Sequence, residues 1–459
     1  MQKHQKQWLA ATTDKVYWSK YNILSHVRDS ENSFILNPLT GNADILDPQE
    51  AALAAKLQKG ESIEDIIFLD DLKSKGYLAD ENQEKKLFRS KYLDFSESRE
   101  TDEIQIFFVT NYSCNFACSY CYQDEYVFPG KELTRDVADA FFDYINNEFA
   151  GRRKYLTLFG GEPLLPSSRQ REIIGYIIDK ANGAGLDLCF VTNGYSLEEY
   201  IPLLAKGKIR EVQVTLDGTK GVHDHRRFLK GGEGTFIKIV NGVDAALSYG
   251  IPVNLRMVAD KGNINDLPAL AAFAIERGWT SNPLFKTQIG RNYELHHCSS
   301  DPDLLLSRVS LYEEIYELIK KYPYITEFHK PAYSVAKFLS ENGSLPDPLF
   351  DSCPACKTEW AFDYTGNIYS CTATVGKDGE SLGTFYPVVN KRDEIISGWQ
   401  ERDVTAISKC RDCPVQLACG GGCGSVAKNR SGDICSPDCR PVNELLGLGF
   451  AAYFGSSKK

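Results

Sequence analysis

Cys114, Cys118 and Cys121 stand at a Cys-x3-Cys-x2-Cys spacing, with Tyr120 just before the last of them. Three thiolates on one short loop can hold three irons of a [4Fe–4S] cube and leave the fourth iron without a protein ligand. An open position of that kind separates a reactive metal site from a closed, structural one. By themselves the same residues could equally be a zinc knuckle or unrelated thiols. A second array lies nearer the C-terminus: Cys353-x2-Cys356, Gly366-x4-Cys371, Cys410-x2-Cys413-x5-Cys419-x3-Cys423 and then Cys439, with Cys435 close by. Eight cysteines can close two further cubes, and Cys-x2-Cys with Cys-x3-Cys could also build a tetrahedral zinc site.

The elements that position these residues alternate in type. Short β-rich runs are expected over Ile104–Thr110, Tyr155–Phe159, Leu186–Thr192, Glu211–Leu216, Pro252–Val258 and Pro283–Gln288. Helical patterns fall between them, over Thr134–Phe149, Gln170–Ala181, Leu197–Ala205, Thr235–Ser248 and Ile264–Arg277. Strand alternating with helix implies parallel β-α units, with ligand groups at the carboxyl ends of the strands. The polar motifs fall there. The cysteine loop follows the first strand, and Gly160-Gly161-Glu162-Pro163 follows the second. Thr192-Asn193-Gly194 closes the third. Leu216-Asp217-Gly218 closes the fourth, followed by His223-Asp224-His225-Arg226-Arg227, and Arg256 ends the fifth. Cys189 sits within the third strand and is expected in the core.

Cys114, Cys118 and Cys121 with Tyr120 resemble the signature of the radical SAM superfamily, and the resemblance extends over roughly residues 100–455. It implies an α/β fold built on a partial (β/α)6 TIM-like barrel. It also implies S-adenosylmethionine on the open iron and a 5′-deoxyadenosyl radical as the reactive species. Carried over residue by residue, Gly160, Gly161 and Glu162 would hold the methionine ammonium, and Asn193 would pack beneath the cofactor. Thr215, Asp217 and Arg227 would lie near the ribose and the methionine carboxylate. The family's Asp-Gly followed by His-Asp-x-x-Arg selects Arg227 over Arg226, and Arg256 is a further cation for the carboxylate. The same pattern makes His223-Asp224-His225 a structural turn rather than a metal pair. The C-terminal array resembles the SPASM extension of radical SAM peptide and protein modifiers, which favours iron–sulfur over zinc. Its interleaved ligation implies one auxiliary cluster on Cys353, Cys356, Cys371 and Cys423 and another on Cys410, Cys413, Cys419 and Cys439. The implied cofactors are therefore three [4Fe–4S] clusters and S-adenosylmethionine. Cys439 is preferred to Cys435 as the last ligand because it precedes the apolar stretch Val442–Phe454, where the start of a helix would favour a thiolate.

Composition narrows the class. The chain has 459 residues, 42% hydrophobic and 12% aromatic, enough for a packed core. A net charge of −10 argues against a nucleic-acid footprint. No apolar run approaches the ~18 residues that span a bilayer, and Met1-Gln2-Lys3-His4-Gln5-Lys6 leads into no apolar export segment. The expected location is the cytoplasm, where fourteen cysteines serve as thiolates rather than disulfides.

Residues 1–100 carry no cysteine. Phe34–Leu46 suggests two strands around a turn, followed by a helix over Pro48–Leu57 with Asp47 as its N-cap and another over Ile63–Lys75. This resembles, weakly, the winged-helix element with which peptide maturases bind a leader by strand addition. A structural cap on the barrel is the alternative. The expected domains are 1–100 winged-helix-like, 101–300 radical SAM core, 301–345 helical bridge and 346–459 SPASM. The expected function is oxidative crosslinking of a ribosomally synthesised precursor peptide with a leader, by a thioether or another side-chain bond. A flavodoxin- or ferredoxin-type donor would supply electrons. Alternatives are a sulfatase-maturing (formylglycine-generating) enzyme and a peptide epimerase. The former carries an aspartate after the cysteine matching Cys371, where this chain has Thr372; the latter would need a thiol such as Cys298.

Overall fold

In the computed structural model, residues 16–121, 130–292 and 302–455 are described, which leaves Cys298 outside. Ile104, Ile106 and Phe108 alternate with Gln105 and Phe107 in the first barrel strand, Ile104–Val109, and every member of the first set is fully buried. That period of two puts the aliphatic set against helices and the other set on the opposite face. Phe108 stacks on Phe141 of the helix Arg135–Glu148 at 4.1 Å between ring centroids. Five more strands follow in parallel, each paired with its predecessor: Lys154–Phe159, Leu188–Thr192, Ile209–Thr215, Val253–Ala259 and Phe285–Arg291. The helices Ser168–Gly183, Leu197–Leu204, Phe236–Ser248 and Leu267–Glu276 connect them. The expected barrel elements are thus present, with ends shifted by a few residues.

One addition was not foreseen. Glu359–Asp363 pairs in parallel with the first barrel strand, Glu359 opposite Gln105 and Asp363 opposite Val109. It turns back antiparallel into Asn367–Tyr369 through Gly366 at φ +94°. The hairpin around Thr365-Gly366-Asn367 is therefore an extension of the barrel sheet.

The chain forms two compact units, each built from separate stretches of sequence. Residues 101–330 and 354–400 make the barrel unit; residues 1–100, 331–353 and 401–459 make the other. In the second unit Ile23–His26, Ser33–Asn37 and Asn42–Leu46 form an antiparallel meander. The helix Pro48–Gln58 begins at a capping box, in which Asp47 accepts from Glu50 N and Glu50 accepts from Asp47 N. The helices Ile66–Ser74 and Glu81–Thr101 follow, the latter unanticipated. Glu81–Thr101 has no fully buried residue, yet Phe88, Tyr92 and Phe95 recur at steps of four and three and ring Phe350. The C-terminal helix Val442–Phe454 lies in the same core, with Phe450 stacked on Phe34 at 4.5 Å.

Phe34 and Phe450 are both essentially buried, so Phe450→Ala removes one ring and leaves a cavity against the other. The expected loss is about 3–5 kcal/mol of stability, seen as a lower urea midpoint. An unchanged midpoint would show that the C-terminal helix does not belong to this core.

Candidate functional site

The cysteine loop is held from three sides within the barrel unit. Before it, Tyr112 donates its hydroxyl to Asp363 at 2.8 Å. Along it, Ala117 N donates to Phe228 O at 2.9 Å and Ser119 N to Arg226 O at 3.1 Å, so the loop runs beside the His223–Arg227 segment. Beneath it, Gly161 N donates to Asn111 O and Glu162 N to Ser113 O. An ideal Cβ on Gly161 would sit 2.3 Å from Ser113 O, and one on Gly160, at φ +137°, 2.3 Å from Asn111 O. The glycine pair thus allows two backbones to touch. Phe116 N lies 3.4 Å and Asn193 Nδ2 3.8 Å from Cys114 Sγ, both placed to donate to a thiolate. Burial pushes the Cys114 thiol up to about 11, Glu162 and Cys118 push the same way, and Phe116 N and Arg227 oppose them.

Glu162 is 1% exposed, and both its oxygens are engaged. Oε1 accepts from Leu164 N at 2.7 Å and Thr192 Oγ1 at 2.6 Å, and Oε2 accepts from Asn193 N at 2.6 Å. The carboxylate is a strut that ties the end of the second strand to the end of the third. Burial raises its pKa, and these donors hold it down. Asp217 has no exposed surface. It accepts from Tyr120 Oη at 2.5 Å, Arg226 Nε at 3.3 Å and Val258 N at 3.0 Å. Arg226 also pairs with buried Asp260 at 2.9 Å. Arg227 is placed otherwise: Nη1 donates to Tyr120 Oη at 2.7 Å, and its buried Nε has no partner among the described residues. Asn111 Oδ1 is likewise buried without a donor. The structure therefore gives the two arginines different partners. It also gives the rim of the barrel a buried donor and a buried acceptor that a polar ligand would satisfy, which suits an amino-acid cofactor.

His223 Nδ1 accepts from Asp217 N at 3.1 Å, and Nε2 lies 3.1 Å from Thr235 Oγ1. Thr235 Oγ1 itself donates to Arg227 O at 2.6 Å, so Nε2 carries the hydrogen and the ring is neutral. Burial, seconded by Arg227, pushes its pKa down to about 4. His225 is exposed, so the two histidines do not converge.

In the second unit Cys410, Cys413, Cys419 and Cys439 come together: burial first, then the other three thiols, raise Cys410 to about 11. Cys413 is raised by burial and by Cys419 and Cys439. Cys435 and Cys439 are both exposed, and the Cys435 N–H donates to Asp433 Oδ1. Cys353 lies near Cys423, and its Sγ is 3.4 Å from Gly424 N. In the barrel unit Cys356, at φ +60°, donates its N–H to Ser370 O, next to Cys371. Gly420, Gly421 and Gly422 are all left-handed, and a Cβ on Gly422 would fall 1.9 Å from Asp438 O. Fully buried Arg402, absent from the sequence expectations, donates to Gly421 O, Gly422 O and Ile434 O at 2.6–3.0 Å. Its Nη1 also lies 3.6 Å from the buried carboxylate of Asp351, and no spacing rule links those two positions.

The inner face of the barrel is polar and encloses about 410 Å³. Thr157, Glu211, Gln213, Asn254, Arg256 and Gln288 are among its walls. Cys189 faces this cavity rather than an apolar core, raised to about 12 by burial and then by Glu211. Arg256 lines this cavity, in register with Thr215 and Gln288. Glu359 was also missed. Its Oε1 accepts from Thr372 N at 3.0 Å and from Thr372 Oγ1 at 3.4 Å, and burial pushes its carboxyl up. Among the described residues no helix is long and apolar enough to cross a membrane.

Residues 108–274 match the model of the Radical SAM superfamily. GTP 3',8-cyclase of Rhizobium etli (strain CIAT 652) is 36% identical over 172 residues, 36% of this chain and 46% of that protein. The chain therefore spans less than half the length of that relative. GTP 3',8-cyclase of Rhizobium leguminosarum bv. trifolii (strain WSM2304) is 28% identical over 56% of this chain and 72% of its own. Among solved structures, native anSMEcpe with bound AdoMet gives a TM-score of 0.60 at 18% identity, over 76% of this chain and 97% of that one. SuiB of Streptococcus suis bound to S-adenosylmethionine gives 0.52 at 15% identity, over 93% and 99%. At these identities the likeness to the solved structures is one of fold.

His223 makes stability depend on pH with a definite sign. Its folded pKa of about 4 lies below the ordinary histidine value of 6.5, so its contribution is complete above pH 6.5 and is lost as pH falls towards 4. The loss is on the order of 3 kcal/mol. Urea midpoints measured from pH 7 to 4 should fall for the wild type and flatten in His223→Gln; equal slopes in the two would contradict the assignment.

Proposed function

We propose that this chain is a radical S-adenosylmethionine enzyme that oxidatively modifies a ribosomally made polypeptide. The observation that carries the reading is the loop with Cys114, Cys118 and Cys121 at the barrel rim, braced by Tyr120 and facing the unpartnered, buried Nε of Arg227. The superfamily match over 108–274 supports it, and so does the fold shared with chains solved with bound AdoMet. In this reading Cys114, Cys118 and Cys121 hold a [4Fe–4S] cluster. When bound, cluster and cofactor supply a 5′-deoxyadenosyl radical that takes a hydrogen from an unactivated carbon. The protein's part is to hold and orient. Phe116 N and Asn193 Nδ2 favour the Cys114 thiolate. Arg227, fixed by Tyr120, meets the methionine carboxylate. Asp217 fixes Tyr120 and so stands behind the site rather than in it.

The C-terminal cysteines would hold auxiliary clusters, one of them on Cys410, Cys413, Cys419 and Cys439, and three [4Fe–4S] clusters in all. One of these would accept the surplus electron, and a flavodoxin- or ferredoxin-type protein would start the reaction. Structures of similar fold have been solved with peptides, SuiB with precursor peptide SuiA and anSMEcpe with Cp18Cys peptide, which supports a peptide substrate. The meander and helices of residues 17–101 would receive the leader. The favoured product is a thioether or other side-chain crosslink. Formylglycine formation gains weight from Glu359: Thr372 replaces the expected aspartate, but a buried carboxylate lies on its backbone N–H.

Anaerobic co-expression with a candidate precursor peptide tests the reading by mass. Loss of two hydrogens per site, abolished by Cys114→Ala, is the expected result. Conversion of a peptide thiol to an aldehyde would favour formylglycine, and deuterium uptake from solvent without other change would favour epimerisation. An unmodified peptide, together with no reductive cleavage of S-adenosylmethionine, would sink the proposal. Cys410→Ser should remove about four irons per chain while leaving the spectrum of the first cluster.

A further inference from the structure

Parallel sheets buried on both faces are ordinarily lined by aliphatic residues. The inner face of this barrel instead carries amides and charges, and their pairing is incomplete. Glu211 is neutralised by Lys286 and accepts from Asn254 Nδ2 at 2.9 Å. Arg210 is paired with Glu103 at 2.7 Å and lies over Tyr155 at 4.2 Å. Arg256 has neither a carboxylate nor a hydrogen-bond acceptor among the described residues. Its guanidinium lies against Gly290, where an ideal Cβ would come within 3.1 Å of Nη2, so the absence of a side chain there makes its room. Two residues earlier on the same strand face, Asn254 is 9% exposed, and its Oδ1 is buried with no donor. The wall thus presents one uncompensated positive charge and one unsatisfied acceptor. Leaving a buried acceptor unpaired costs about 1–3 kcal/mol.

We infer that this cavity is the subsite for an acidic residue, aspartate or glutamate, of the substrate polypeptide. Arg256 receives the carboxylate, and Asn254 Oδ1 accepts a main-chain N–H. This deepens the proposed function and rests on its premise that the substrate is a polypeptide. The methionine carboxylate of the cofactor already has a cation in Arg227, and one carboxylate does not neutralise two arginines on separate parts of the rim. A nucleoside triphosphate, the substrate named by the GTP cyclase relatives, fits less well. It would need several free cations, and Lys286 and Arg210 are already paired. The amides of Gln213 and Gln288 beside Arg256 suit the donors and acceptors of a peptide main chain.

The test uses the full chain, reconstituted anaerobically with iron and sulfide and saturated with S-adenosylmethionine. Fluorescein-labelled hexapeptides Gly-Gly-X-Gly-Gly-Ser, with X as Asp, Glu, Asn or Gln, are titrated by anisotropy, and GTP serves as competitor. A charge-assisted bond implies at least about tenfold tighter binding of the acidic peptides than of their amides. Arg256→Gln should reduce that preference below about twofold. Arg256→Lys keeps the charge and should retain part of it, which separates loss of charge from loss of fold. Three outcomes overturn the assignment: no acidic preference in the wild type, a preference that survives Arg256→Gln, or GTP displacing the probes at lower concentration than the acidic peptides. Affinity for S-adenosylmethionine is measured in parallel. A tenfold loss in Arg256→Gln with the peptide preference intact would return Arg256 to the cofactor. An Arg256-dependent preference in a chain that cleaves no S-adenosylmethionine would support the subsite and overturn the enzymatic reading instead.

Discussion

Asp217 is a carboxylate with no exposed surface, and the rim of the barrel is organised by the need to satisfy its oxygens. A buried charge costs several kcal/mol unless it is paired and hydrogen-bonded. Here a guanidinium, a phenol and a backbone N–H supply the compensation, each from a different segment: Arg226, Tyr120 and Val258. Because each partner is fixed by the same carboxylate, the cysteine loop, the helix after the fourth strand and the end of the fifth strand share one geometry. Glu162 does the same for the second and third strands through Leu164, Thr192 and Asn193. Two buried carboxylates thus hold the strand ends in place. The groups left over, Arg227 Nε and Asn111 Oδ1, are buried with nothing to bond among the described residues.

This division of labour explains what the sequence could and could not tell. The strands were legible because Ile104, Ile106 and Phe108 alternate with residues of another kind, and the helices because their starts are capped, as Asp47 caps Pro48–Gln58. The cysteine spacings were legible because ligands of one cluster must lie close along the chain. Roles were less legible. Glu162 and Asp217 stand at positions that suggest ligand contact, yet both are occupied by the protein, and only three-dimensional partners reveal that. Gly160 and Gly161 likewise serve backbone approach to the cysteine loop. The helix Glu81–Thr101 was missed because its composition is polar and its one apolar seam is supplied by Phe350, more than two hundred residues away in the chain. Arg402 and Glu359 escaped for a similar reason: most of their hydrogen bonds run to backbone atoms, which leave no trace in residue type.

The cysteines themselves are in an environment that opposes ionisation. Burial raises Cys114 and Cys410 to about 11, and neighbouring thiols add to the effect. Thiolates crowded together in a poorly hydrated site repel one another, so the arrangement is favourable only with cations between them. Meanwhile the fold has already met the backbone cost of bringing them there. Left-handed glycines at 420, 421 and 422 turn carbonyls inward, and Arg402 satisfies those of Gly421 and Gly422 without any help from a metal. Gly160 and Gly161 do the corresponding work for the cysteine loop. Burial thus favours the protonated thiols on a backbone already held in place, so a metal held by them would displace protons on binding.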